Sequence, residues 1–259
     1  MIRLFTTYYQ ERRPERNAEY EECLRRNLAS AVISEIYLLV EGENVPLPAS
    51  PKIRVRKICR RPQYADYFAW IEELVKPDDV SIIANSDIFF DQQLGLFNVW
   101  KLPDKTAFAL ARWDMGPDGR PVLNDRNDSQ DAWIFRGSTR GVRGDFHIGV
   151  PRCDNRIFFE LQEAGFRVMN PAFSFRSYHL HKGMRVEYAG AALPHFVAPP
   201  YRYLWPHNLW TLPRALWHNL CRPACRVGWR FDRRRLRLTL PARALAKLWK
   251  VGGQFTHTK

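Results

Sequence analysis

Short apolar runs alternate with amphipathic stretches along most of the chain, and the alternation predicts strands and helices in turn. Ile2 to Tyr8 reads as a first strand, followed by a charged loop from Gln10 to Arg16. From Asn17 onward, Tyr20, Cys23, Leu24, Leu28 and Val32 recur at the spacing of one helix face. Ile36 to Val40 is a second apolar run, so the chain opens strand, helix, strand. A Pro-rich loop from Pro46 to Pro51 leads to a third strand, Lys52 to Ile58. Pro62 can open the next helix, where a missing N–H costs nothing, and Tyr64, Tyr67, Phe68, Ile71, Leu74 and Val75 give it one apolar face.

Val80, Ile82, Ile83 and Ala84 form an apolar run broken only by the small Ser81, as suits a strand buried on both faces. Further strands are predicted at Ala107 to Arg112, Ala132 to Phe135, Arg167 to Asn170 and Phe173 to His179. Met115 to Asp128 is rich in Gly, Pro, Asp and Asn, and reads as a long loop covering a site. Asp154 is the expected cap of a helix that runs through Ala164 and stops at Gly165. The fold class this implies is α/β, with a central mixed, mostly parallel sheet flanked by helices.

In such sheets ligands bind just beyond the carboxyl ends of the strands. Polar clusters recur there: Asn85-Ser86-Asp87, Trp113-Asp114, Ser129-Gln130-Asp131, Cys153-Asp154-Asn155 and His179-Leu180-His181. Taken singly, each has the chemistry of a turn or a helix cap. Taken together at loops that converge on one sheet edge, they point to a site. A triplet ending in a carboxylate, as Asn85-Ser86-Asp87 does, suits a divalent metal and the phosphates it neutralises.

Charge divides the chain. The net charge of +13 is carried almost wholly by residues 201–259, where thirteen Lys or Arg meet one acid, Asp232. That segment holds five of the nine tryptophans, Trp205, Trp210, Trp217, Trp229 and Trp249. Cations with interfacial aromatics suit the surface of an anionic membrane. The expected division is a catalytic domain over residues 1–198 and a basic, Trp-rich extension over 199–259. No apolar run has the length of a membrane span or a signal peptide, so the expected location is cytoplasmic, peripheral on the inner face of the membrane. Five widely spaced cysteines predict free thiols, not a disulfide framework.

ANSDIFFD, ALARWD, SQDAWIF, GVPRCDNRIFFEL and SYHLH, over roughly residues 1–182, resemble the motif set of GT-A-type glycosyltransferases. The resemblance is narrowest to bacterial polysaccharide and lipopolysaccharide glycosyltransferase-like proteins. It implies that Thr6, Thr7 and Tyr8 line a nucleotide pocket, with Tyr8 stacking on the base. It implies a DxD-like motif in which Asp87 binds Mn2+ or Mg2+ and Asn85, replacing the first acid, assists beside Ser86. His179 or His181 would be the second protein ligand. Arg112 and Asp114 fall on the nucleotide-sugar side, and Arg152, Asn155 and Arg156 on the acceptor side. Asp154 and Asp131 are both candidates for the base that deprotonates the acceptor. Asp154, at a helix N-terminus, is expected to favour its charged form, which weakens it as a base, and the two candidates rank about equal.

The implied partners are a nucleotide-sugar donor and a glycan or glycolipid acceptor. Three other readings stand beside this one. The tail suits nucleic acid, but no nucleic-acid module accompanies it. A nucleotidyltransferase would want an early Gly-rich phosphate loop, and IRLFTTYYQERR has no glycine. An inactive relative that only binds sugar would fit Asn85.

Overall fold

The computed structural model describes residues 1–99, 101–180 and 196–209. A seven-stranded sheet forms its centre, in the order β10-β6-β9-β4-β1-β2-β3. The strands are β1 (Ile2–Tyr9), β2 (Glu35–Glu41), β3 (Ile53–Ile58), β4 (Val80–Ala84), β6 (Thr106–Leu110), β9 (Ala132–Arg136) and β10 (Arg167–Met169). All run parallel except β9, which is antiparallel to both neighbours, β4 and β6. The mixed, mostly parallel α/β sheet is therefore the one the sequence predicts.

Three helices cover the sheet: α1 (Pro14–Ala29), α2 (Tyr64–Leu74) and α3 (Cys153–Glu163). Tyr20 and Leu24 of α1 pack with Leu4, Leu38, Ile82 and Ile134 on one face. Tyr67, Ile71, Ile157 and Leu161 of α2 and α3 pack with Phe5, Leu39, Ile83 and Trp133 on the other. The strand period of two sends alternate residues to opposite cores, and each fully buried side chain of this kind contributes about 1.5–3 kcal/mol.

A smaller four-stranded sheet stands at the edge of the first, in the order β5-β11-β7-β8. Its strands are β5 (Ile88–Phe90), β7 (Arg112–Met115), β8 (Pro121–Leu123) and β11 (Ser177–His179). The strand expected to run unbroken from Ala107 to Arg112 thus changes sheets at Ala111, and the chain passes between the two sheets again at Asn85-Ser86-Asp87. The expected loop at 115–128 contains the β7–β8 hairpin.

The helix starts are also corrected. α1 begins at Pro14 inside the expected loop, because proline is favourable in a first turn. α2 begins at Tyr64, where Gln63 and Asp66 form a capping box. Arg152, not Asp154, is the cap of α3, and it adopts the left-handed region at φ 72°.

Residues 196–209 cross the body as a strap. Val197 N donates to Pro151 O (3.1 Å), Arg202 N to Asn155 O (3.0 Å) and Leu204 N to Asn127 O (2.9 Å). Leu204 is buried in the core around α3. The boundary expected at residue 198 falls inside this strap. Residues 181–195 and 210–259, including His181 and most of the basic extension, lie outside the described residues. Among the described residues no helix is long and apolar enough to cross a membrane.

Candidate active site

Reversal of β9 brings the polar clusters together. An antiparallel strand begins at the edge where its parallel neighbours end, so Ser129, Gln130 and Asp131, just before β9, meet Asn85, just after β4. Asn85 N donates to Asp131 O (3.2 Å), and the Asn85 amide donates to Asp131 Oδ1 (2.8 Å). A cleft of about 620 Å³ opens at this edge. Thr7, Asn85, Ser86, Asp87, Arg112, Asp131, Arg152, Asp154 and Asn155 of the expected site line it.

A hydrogen-bonded chain links residues of the cleft, passing through His179 and Asp114, which do not line it. Arg16 forms an ion pair with Asp87 Oδ2, and its other terminal nitrogen reaches Glu19 (2.5 Å). His179 Nε2 lies 3.2 Å from Asp87 Oδ2, while Nδ1 lies 2.7 Å from Asp114 Oδ1. Arg112 bridges Asp114 (2.8 Å) to Asp131 (2.9 Å). Next to Asp131, Gln130 N donates to Asp154 Oδ2 (3.3 Å).

Electrostatics set the two ends of this chain apart. Burial raises the Asp87 carboxyl, but the hydrogen bond and charge of His179, with those of Arg16, outweigh it and hold Asp87 well below the usual carboxylate range. Burial lowers His179, yet hydrogen bonds to Asp114 and Asp87 leave it above its ordinary value. Asp154 is pushed up to about 7, first by burial and then by the Asp131 charge, against two backbone N–H donors. The expectation that a helix N-terminus keeps Asp154 charged is therefore corrected. Enclosure beside a second carboxylate outweighs the dipole.

Several expected roles move. Along β1, Thr7 and Tyr9 line the cleft, whereas Tyr8 is buried in the α1 core and Thr6 is buried on the same side. Tyr8 is thus not placed to stack on a base in this cleft, and Tyr9 is the cleft-lining tyrosine. Arg156 is likewise withdrawn: it pairs with the buried Glu160 (2.5 Å) and donates to Ala198 O and Pro199 O (3.0 and 3.1 Å). Its guanidinium anchors the strap. Asp114 does not line the cleft and acts on it through His179 and Arg112.

Arg16, Gln130, Tyr9, Arg61 and Arg126 line the cleft without having been singled out from the sequence. Arg16 sits in the first turn of a helix whose start was placed too late. Gln130 lay within a cluster, but nothing local distinguished it from a turn residue.

The Asp87 end has features that fit a divalent cation. Asp87 Oδ1 is buried without a hydrogen-bond partner among the described residues. His179 gives one ring nitrogen to a carboxylate, as metal-bound histidines do, and turns the other toward Asp87. Among the described residues no three His, Cys, Asp or Glu side chains converge as a ligand set. Asp87 and His179 would supply two ligands, with the others left to donor oxygens. Asn85, engaged with Asp131, serves to hold that carboxylate.

No family model matches the chain, and no curated protein does. Solved structures overlap it weakly. A mannosyltransferase from Pyrobaculum calidifontis, in complex with GDP-Man and Mn2+, matches 98% of this chain and 81% of its own at 12% identity, with a TM-score of 0.46. A 2-C-methyl-D-erythritol 4-phosphate cytidylyltransferase from Francisella tularensis matches 52% of this chain and 72% of its own at 13% identity, with a TM-score of 0.37. The bifunctional glycosyltransferase WbbM matches 52% of this chain and 31% of its own at 14% identity, with a TM-score of 0.29. These are likenesses of architecture.

Proposed function

We propose that the protein is a glycosyltransferase, moving a sugar from a nucleotide-sugar donor to a saccharide or lipid-linked glycan in surface polysaccharide or lipopolysaccharide assembly. One observation carries the reading. A single cleft holds a carboxylate kept ionised, Asp87, and a carboxyl raised to about 7, Asp154, joined by one polar chain. Titratable groups whose surroundings push them apart mark the division of labour in an acid–base site.

The donor diphosphate would lie at the Asp87 end, beside Arg16 and below Tyr9, with Thr7 and Ser86 on the pocket wall. Asp87 and His179 would hold Mn2+ or Mg2+, with His181 outside the described residues. A cation bound there would offset charge on the departing nucleoside diphosphate. Asp154 is the better base, because its proton affinity matches neutral pH and Asp131 is engaged by Arg112 and Asn85. Asp154 Oδ2 would take the acceptor hydroxyl proton as that oxygen attacks the anomeric carbon and the bond to the diphosphate breaks. Asp131 positions Arg112 and supplies the neighbouring charge.

The basic extension is proposed to rest on an anionic membrane, where a lipid-linked acceptor is found. Full-length protein should bind anionic vesicles at low salt and release them at high salt; indifference to them would remove this part of the reading.

The reaction is tested by chromatography of UDP-, GDP-, dTDP- and CMP-sugars incubated with saccharide and lipid-linked acceptors. Release of nucleotide coupled to acceptor gain, lost in Asp154→Asn, supports transfer. Pyrophosphate release from a nucleoside triphosphate and a sugar phosphate would instead establish a nucleotidyltransferase.

A further inference from the structure

Two buried polar atoms near Asp154 lack partners among the described residues: Gln130 Oε1 and Asn155 Nδ2. Both residues line the cleft, and Asn155 is 0% exposed. The chemistry fixes which end of each amide is unfilled. The Gln130 nitrogen donates to Asn127 O (3.2 Å) and Leu204 O (3.5 Å), leaving the oxygen without a donor. Asn155 Oδ1 accepts from Arg152 Nη1 (3.4 Å), leaving the nitrogen without an acceptor. Buried polar groups are almost always paired, so an unfilled donor and an unfilled acceptor in one cleft describe a ligand's complement.

Arg152 adds charge and strain. It holds φ at 72°, a region an arginine rarely adopts, and follows Gly149, which is also at positive φ. Its guanidinium lines the cleft and approaches Asp128 only to 3.7 Å, while Arg126 takes that carboxylate with two bonds of 2.9 and 3.1 Å. The Tyr201 ring of the strap lies 5.9 Å from it. A strained backbone that sets a weakly engaged cation beside an unfilled N–H donor builds a receptor for an anion.

We infer that the acceptor is an acidic saccharide. Its carboxylate or phosphate pairs with Arg152 and the Asn155 amide nitrogen, and a hydroxyl near the one presented to Asp154 donates to Gln130 Oε1. This rests on the glycosyl-transfer reading above and narrows its substrate class.

The test measures calorimetric binding of methyl glucuronide, glucose 6-phosphate and methyl glucoside to full-length protein holding its nucleoside diphosphate. One acidic sugar should bind about tenfold or more tightly than the neutral one, as a charged hydrogen bond warrants. Preference for the glucuronide identifies a carboxylate, and preference for the phosphate identifies a phosphoryl group. Arg152→Gly should erase the preference in protein that remains folded, since glycine tolerates the backbone angle. Arg152→Lys should keep part of it. Equal or undetectable binding of all three sugars by the nucleotide-bound wild type overturns the inference, as does a preference that survives Arg152→Gly. Failure of the wild type to bind any nucleotide removes the underlying reading as well.

Discussion

His179 gives its Nδ1–H to Asp114 at 2.7 Å, on the edge of the ring away from Asp87. Asp114 and Asp87 are both held below their ordinary pKa, so each is a carboxylate that can only accept, and the raised His179 ring donates from Nδ1 and from Nε2. A cation bound beside Asp87 would take the place of the Nε2 proton, while Asp114 keeps the one on Nδ1. Asp114→Asn should therefore weaken Mn2+ binding by about 10–100-fold, the usual cost of losing the partner behind a ligating histidine. Paramagnetic resonance of free Mn2+ during titration reads this directly. Unaltered affinity in the variant would mean that His179 holds no metal.

Asp154 carries the pH dependence. Its pKa of about 7 makes the carboxylate form available only as pH rises, so transfer should increase with pH through about 7 and then level. Asp154→Asn should lower the rate by about 10²–10⁴-fold while leaving nucleotide binding in place. A rate that falls as pH rises through this range would assign the base elsewhere.

The same shift has a stability consequence. Asp154 binds its proton more tightly folded than unfolded, so this group's contribution to stability is present at low pH. It is lost as pH rises from the ordinary carboxylate value toward about 7. Asp154→Asn removes that loss, and the variant should gain in Tm relative to wild type between about pH 4 and pH 8. A constant difference would show that the folded protein does not raise Asp154.

Arg112 is buried between Asp114 and Asp131, and Asp131 is itself buried. Arg112→Met should cost about 3–5 kcal/mol in urea unfolding, because a buried carboxylate loses its counter-charge. Adding Asp131→Leu should return part of it. A mild single-variant effect would mean that water reaches Asp131.

Gly144 touches the start of α2 so closely that a Cβ would lie 2.5 Å from Ala65 N and 2.8 Å from Tyr64 C. Those are backbone atoms and cannot turn aside. Gly144→Ala should destabilise by about 1–3 kcal/mol, as overpacking does.

Much of the sheet was legible because its central strands must be apolar on both faces, and Val80–Ala84 could be little else. The polar clusters were legible for a related reason, since they interrupt those runs. What the pattern did not carry was direction. A reversed β9 has the same composition as a parallel one, yet reversal is what brings Gln130 and Asp131 to Asn85. The misplaced tyrosine was recoverable, because strict alternation from Phe5 assigns Thr7 and Tyr9 to one face and Tyr8 to the other. Arg16 was not, because it is 71 residues from Asp87 and only the folded chain joins them. The strap is a third case: its ties to α3 and to the loop before β9 run mostly through backbone groups, which leave no mark on side-chain composition.

Nucleotide binding at Asp87 is what a donor site there requires first. A thermal-shift panel of UDP-, GDP-, dTDP- and CMP-sugars, each with Mn2+ or a chelator, measures it in wild type and Asp87→Ala. At about a hundred times its dissociation constant, a ligand should stabilise the protein by about 2.7 kcal/mol. One nucleotide class should produce this shift, strengthened by Mn2+ and lost in Asp87→Ala. A panel in which no nucleotide stabilises the wild type, or in which Asp87→Ala responds as wild type does, would contradict the donor site and the glycosyltransferase reading built on it.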